Sequence, residues 1–192
     1  MLVALAGVVF TVAFSVVVRE RDRWAQWVSA ITLTTGALLA VPVFLALYVR
    51  LRDREPQFAV LGLMSGVIAS FATAMHGAFD YAGLSKPFKP DLAAVPSSVD
   101  PRGFMTFAIT GLALMTFGAI ALRAGGLPAL VARLALVAGL LLVVVYFGRL
   151  IVLNPKSNII KTTALASGLI VSPAFFAVFG RELLTGGARR PS

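Results

Sequence analysis

The chain has 192 residues and a formal net charge of +9; it is 59% hydrophobic and 13% charged, with a mean hydropathy of +0.92. A water-soluble domain carries about 25% charged residues, so a chain of this length has no core large enough to hide its apolar surface, and a polytopic membrane protein is expected. The lack of cysteine excludes disulfides, thiolate metal sites and thiol nucleophiles. The basic residues stand at the ends of apolar segments, so the positive charge does not point to nucleic acid.

Six apolar segments follow one another, at 2–18, 24–48, 57–84, 104–122, 127–153 and 159–180. Each can cover a hydrocarbon layer of about 30 Å at about 1.5 Å per residue, the shorter ones with help from snorkelling side chains. None alternates with the period of two that a barrel strand needs, so the expected fold is all-α, a single bundle of about six spanning helices over 1–192. The short connections predict antiparallel neighbours in chain order. The longest polar connection, 85–103, is too short to fold alone.

The first segment is followed, not preceded, by its basic cluster Arg19-Glu20-Arg21-Asp22-Arg23, and no small-residue cleavage site is evident. It is expected to be a retained helix rather than a signal peptide. The second segment carries Pro42 and the sixth Pro173. Each removes a backbone donor and predicts a kink or local opening, which in transporters can mark a site and in membrane helices generally is common. The clusters RERDR and RLRDRE resemble each other, but the helices after them do not, so an inverted repeat is not supported.

The third segment is the most informative. At about 100° per residue, Gly62, Ser65, Ala69, Thr73, His76 and Asp80 share one face, and Leu61, Met64, Ile68, Phe71, Met75 and Phe79 share another. The small, polar face is expected against protein and the bulky one against lipid. Gly62, Gly66, Ser70, Ala74 and Ala78 also place a small residue at every fourth position, a ridge on which another helix can approach closely, within the bundle or from another subunit.

His76, the sole histidine, and Asp80 are spaced i, i+4, which suits an oriented imidazole, a proton relay or two ligands of a metal. A metal needs further donors that the sequence does not place within the membrane, and bis-histidine haem ligation needs two chains, so neither metal nor cofactor is expected. The stretch from Gln57 to Phe79 is free of charge, about 34 Å of helix, which puts Asp80 near the helix end. Arg149 closes the uncharged part of the fifth segment at the same side of a six-helix bundle, so an Asp80–Arg149 pair is geometrically allowed, with Tyr81, Tyr146 and Asn154 at similar depth. Alternatively Arg133 and Arg149, about 24 Å apart along the helix, snorkel to opposite interfaces. Lys161, Thr162 and Thr163 open the sixth segment as an interface cluster.

Of the 17 Lys and Arg residues, eight fall on each side and Arg149 lies within a segment, so the positive-inside rule ties. The basic tail GGARRPS favours cytoplasmic termini; the RERDR cluster favours the reverse. No serine stands in a nucleophile elbow, and there is no phosphate loop, zinc-protease helix or dinucleotide fingerprint, so an enzyme is not expected.

From Gln57 onward, the stretches MHGAFDYA, VDPRGFMTF, YFGRLIVLNP and SPAFFAVFGREL resemble small bacterial membrane proteins grouped as domains of unknown function. The resemblance implies a six-helix bundle of the bacterial cytoplasmic (inner) membrane and no assigned activity. Members commonly begin with a basic stretch before the first helix; this chain begins within its apolar run. Two functions are expected from these features. The first is a non-enzymatic packing role, as accessory subunit, scaffold or homo-oligomer, with the lipid bilayer, other membrane subunits or a second copy as partners. The second is a small transporter or membrane sensor using a polar pocket at His76, Asp80 and Arg149, joined by Lys161.

Overall fold

The structure, a computed structural model, describes residues 1–20, 22–85, 103–152 and 157–186, without the side chains of 17–20, 149–152 and 186. Six helices and no strand occur among the described residues. They are α1 (Leu2–Glu20), α2 (Arg23–Leu51), α3 (Pro56–Ser85), α4, α5 (Ala129–Val152) and α6. Helix α4 opens as a π-helical segment, Phe104–Ile109, and continues as Thr110–Ala124. Helix α6 runs Asn158–Leu165, passes through a second π segment, Ala166–Val171, and ends with Ser172–Gly186. Helices α2 to α6 are long and apolar enough to cross a membrane; the described apolar part of α1, Leu2–Val16, is shorter.

Local chemistry sets the helix ends. The Asp22 carboxylate accepts from the Ala25 amide at 2.8 Å and caps α2. Pro56 occupies the first position of α3, where its missing donor costs nothing. Gly125 and Gly126, at φ 76° and 97°, end α4 in a backbone region that other residues rarely adopt.

Every sequential pair is antiparallel. Ala6 meets Gly36, Ala30 meets Gly77, Phe117 meets Gly62, Gly111 meets Gly139, and Ile160 meets Gly148. Helix α1 also packs on α6, where Thr11 lies against Gly168 and the Met1 amino group against Gly180. The helices therefore close into a ring in chain order, from α1 round to α6 and back. Phenylalanines fill its interior. Phe44 stacks on Phe117 at 6.5 Å, Phe175 stacks on Phe179 at 5.9 Å, and all four are at most 1% exposed.

Glycine decides how close the helices come. A methyl group added to Gly111 would lie 2.6 Å from the Gly139 carbonyl oxygen, and one on Gly139 would lie 2.5 Å from that of Gly111. At Gly118 it would lie 2.9 Å from the Ala132 oxygen. Helices α4 and α5 thus touch backbone to backbone. Lipid offers no hydrophobic drive for helix association, and such contact supplies dispersion attraction in its place.

Candidate functional site

Helix α3 positions the site, and its two faces separate as the periodicity predicts. Gly62, Ser65, Ala69 and Thr73 are buried and His76 half-buried, while Leu61, Met64, Ile68, Phe71, Met75 and Phe79 are all exposed. Asp80, at the end of the polar face, is exposed.

The small-residue ridge divides in the structure. Gly62, Gly66, Ser70 and Ala74 are buried; Ala78 is exposed. A step of four residues advances about 40° around the helix, so the four steps from Gly62 to Ala78 wind the ridge across roughly 160° of surface. Gly62 therefore faces the Phe117 ring of α4, Gly66 faces the Phe44 ring of α2, and by position 78 the row has turned away. Gly77, not Ala78, makes the close approach at that end, where an added methyl would lie 2.8 Å from the Ala30 oxygen and against Thr34. The Thr34 hydroxyl spans the gap, with the Ala30 carbonyl at 2.9 Å and that of Ala74 at 3.5 Å. Among the described residues the buried Ser70 hydroxyl has no hydrogen-bond partner, which costs about 1–3 kcal/mol.

His76 joins two helices. Its Nδ1 lies 3.4 Å from the hydroxyl of Thr106, a buried residue in the π segment of α4. Its Nε2 lies 3.6 Å from the Asp80 carboxylate, with side-chain exposures of 18% for His76 and 45% for Asp80. The second distance is too long for a good hydrogen bond and describes electrostatic proximity. With the proton on Nε2 facing Asp80, Nδ1 accepts from Thr106. This arrangement orients the imidazole and leads from the surface carboxylate into the helix interface.

Two aromatic pairs join helices at the same end of the bundle. Tyr81 meets Trp27 of α2 edge to face at 4.8 Å. Phe104, in the same π segment as Thr106, meets Tyr146 of α5 edge to face at 5.4 Å. The π segment packs on both α3 and α5 and so connects their ends. The Arg149 side chain, Asn154 and most of the 85–103 connection lie outside the described residues. Lys161 and Thr162 are exposed on α6, whose main neighbours are α1 and α5 rather than α3. Among the described residues, no three His, Cys, Asp or Glu side chains come together as a metal would require.

Three features escaped sequence reasoning. Thr106 is one, signalled only by being the sole hydroxyl in FMTF. The α4–α5 glycine contact is another, signalled by Gly111 and Gly118 seven residues apart. The third is at the opposite end of the bundle, where the Arg123 guanidinium donates to the Glu55 carboxylate at 2.5 Å and lies 5.8 Å from the centre of the Phe58 ring. No protein-family model matches the chain, and neither a curated protein nor a solved structure matches it.

Proposed function

We propose that this chain is a non-enzymatic integral membrane protein whose role is packing, as an accessory or scaffold subunit or as a homo-oligomer. The observation that carries the reading is the contrast between its interior and its α3 surface. The middle of the ring is filled by buried phenylalanine rings, which leave apolar packing where a solute path would need polar groups. The outer face of α3 meanwhile presents the Phe71 ring together with Met64 and Met75, whose flexible side chains suit contact with another helix as well as with lipid. Because the chain has no cysteine, single cysteines at Met64 and Phe71 give a clean test in native membranes. Oxidative crosslinks to a second copy or to another membrane protein are expected. Failure to crosslink at either position, with both labelled by lipid-soluble reagents, would refute the packing role for this face.

The His76–Thr106 contact favours a second reading, a small transporter or sensor whose polar pocket comprises His76, Asp80 and Arg149. A proton passing from Asp80 to His76 would reach the joint between α3 and the π segment of α4. In reconstituted vesicles this reading expects proton or solute flux that His76→Ala abolishes. Flux unchanged in His76→Ala removes it.

A further inference from the structure

The turns α2–α3 and α4–α5 lock together at the end of the bundle away from His76. A methyl group on Gly126 would lie 3.2 Å from the Arg50 carbonyl oxygen and 3.7 Å from Arg54 Cγ, so the second turn nests between these two residues. Glu55 at the first turn holds Arg123 at the end of α4, and Arg123 rests over Phe58. Arg50, Arg52, Arg54 and Arg123 are thereby gathered at one place on fixed backbone.

Their charge is not balanced there. Asp53 lies 3.7 Å from Arg52, and Glu55 is taken by Arg123. Among the described residues, Arg50 and Arg54 have no carboxylate within ion-pair distance. Four guanidiniums thus face two carboxylates. The depth of the cluster selects its partner: Arg50 is in the last turn of the spanning helix α2, beside buried Leu51, and Arg123 is in the last turn of α4, beside exposed Leu122. Arginines one turn beyond an apolar span lie at the level of lipid phosphates. Guanidinium forks match phosphate oxygens, and a headgroup with net negative charge is favoured over one whose phosphate is offset by an amine.

We propose that this end of the bundle is a binding surface for the phosphate headgroups of anionic phospholipids. The proposal is independent of the packing role, since either a scaffold or a transporter can carry it.

A local reporter is available because the chain has two tryptophans, Trp24 and Trp27, both at the start of α2 on the opposite side. With both changed to Phe, Phe58→Trp places the only indole beside Arg123, on a half-exposed position. The probes are phosphatidylcholine vesicles containing brominated phosphatidylglycerol or brominated phosphatidylcholine. Quenching at position 58 is expected to be several-fold stronger for phosphatidylglycerol. Arg50→Gln/Arg54→Gln is expected to bring the two lipids close to equality, whereas Arg23→Gln, at the other end, leaves the preference unchanged. Raising the salt to about 1 M shortens the screening length to about 3 Å and should weaken the preference without any change at the arginines. Equal quenching by the two lipids, a preference that survives Arg50→Gln/Arg54→Gln, or one indifferent to salt overturns the proposal. The salt series decides the matter even if the double variant fails to fold.

Discussion

A single methyl group is enough to probe the α4–α5 contact. Gly139→Ala sets a Cβ within 2.5 Å of the Gly111 carbonyl oxygen, a backbone atom with no freedom to swing aside. The helices must separate, and thermal unfolding in detergent should show a loss of about 1–3 kcal/mol. Gly7→Ala is the matched control. An added methyl there meets nothing within 4 Å, so the substitution should be neutral or gain about 0.5–1 kcal/mol from helix propensity. Equal behaviour of the two variants would show that the α4–α5 approach does not contribute to stability. The other residue-scale test concerns Asp80. If Arg149 is its partner, a double-mutant cycle with Asp80→Asn and Arg149→Gln should return a coupling of about 0.5 kcal/mol or more, modest because Asp80 is half-exposed. Additive losses would mean that each charge is anchored separately, and the pocket reading would lose its cation. At this scale the sequence was legible where a whole face had one character, as on the bulky side of α3. It misled where periodicity was read as a straight row: Ala78 follows Ala74 by four residues, yet the helix has turned far enough that Gly77 makes the contact.

The two π segments are the elements that pure hydropathy does not announce. Ala166–Val171 immediately precedes Ser172 and Pro173. In a regular helix the proline ring would collide with the carbonyl of Leu169 and leave it without a donor, and widening the preceding turn relieves both. Pro42 has the same chemistry, but α2 remains α-helical across it. The proline alone therefore does not determine the outcome, and the neighbours differ. Gly168 sits directly against Thr11 of α1, so the widened turn lies where α1 and α6 close the ring. If Pro173 sets the π register, Pro173→Ala should restore α-helical pairing and slow amide hydrogen exchange over 166–172. Unchanged exchange would assign the widened turn to the Thr11–Gly168 contact instead. The π segment of α4 has no internal proline, so nothing in FMTFAI marks it in advance; it is recognisable only by where it delivers Thr106, against His76.

For the whole molecule, sequence and structure meet in the order of the helices. Short connections make each helix the neighbour of the next, and this much follows from the spacing of the apolar segments. Closure of the ring does not, because α1 and α6 are joined by contacts between residues more than 150 positions apart, such as Thr11 with Gly168. Nor does orientation, since arginine and lysine divide evenly between the two ends. The antiparallel order still predicts a definite pattern of access. With α2 to α6 spanning, the turn at Asp53 and the turn at Gly125 share one side, which the structure supports directly by pairing Glu55 with Arg123 across them. The same alternation predicts the other side for Ser98 and Ser157. Single cysteines at Asp53 and Gly125 should react together with a membrane-impermeant maleimide applied from one side of sealed vesicles, and cysteines at Ser98 and Ser157 only from the opposite side. Helix α1 is the sensitive part of this test, because its described apolar stretch spans only about 22 Å. If α1 crosses, a cysteine at Leu2 reacts from the Asp53 side, in keeping with the Met1 amino group lying beside Gly180 at the far end of α6. Reaction of Leu2 from the Ser98 side would break the α1–α6 contact and open the ring; reaction of Asp53 and Ser98 from one side would remove the spanning of α3 itself.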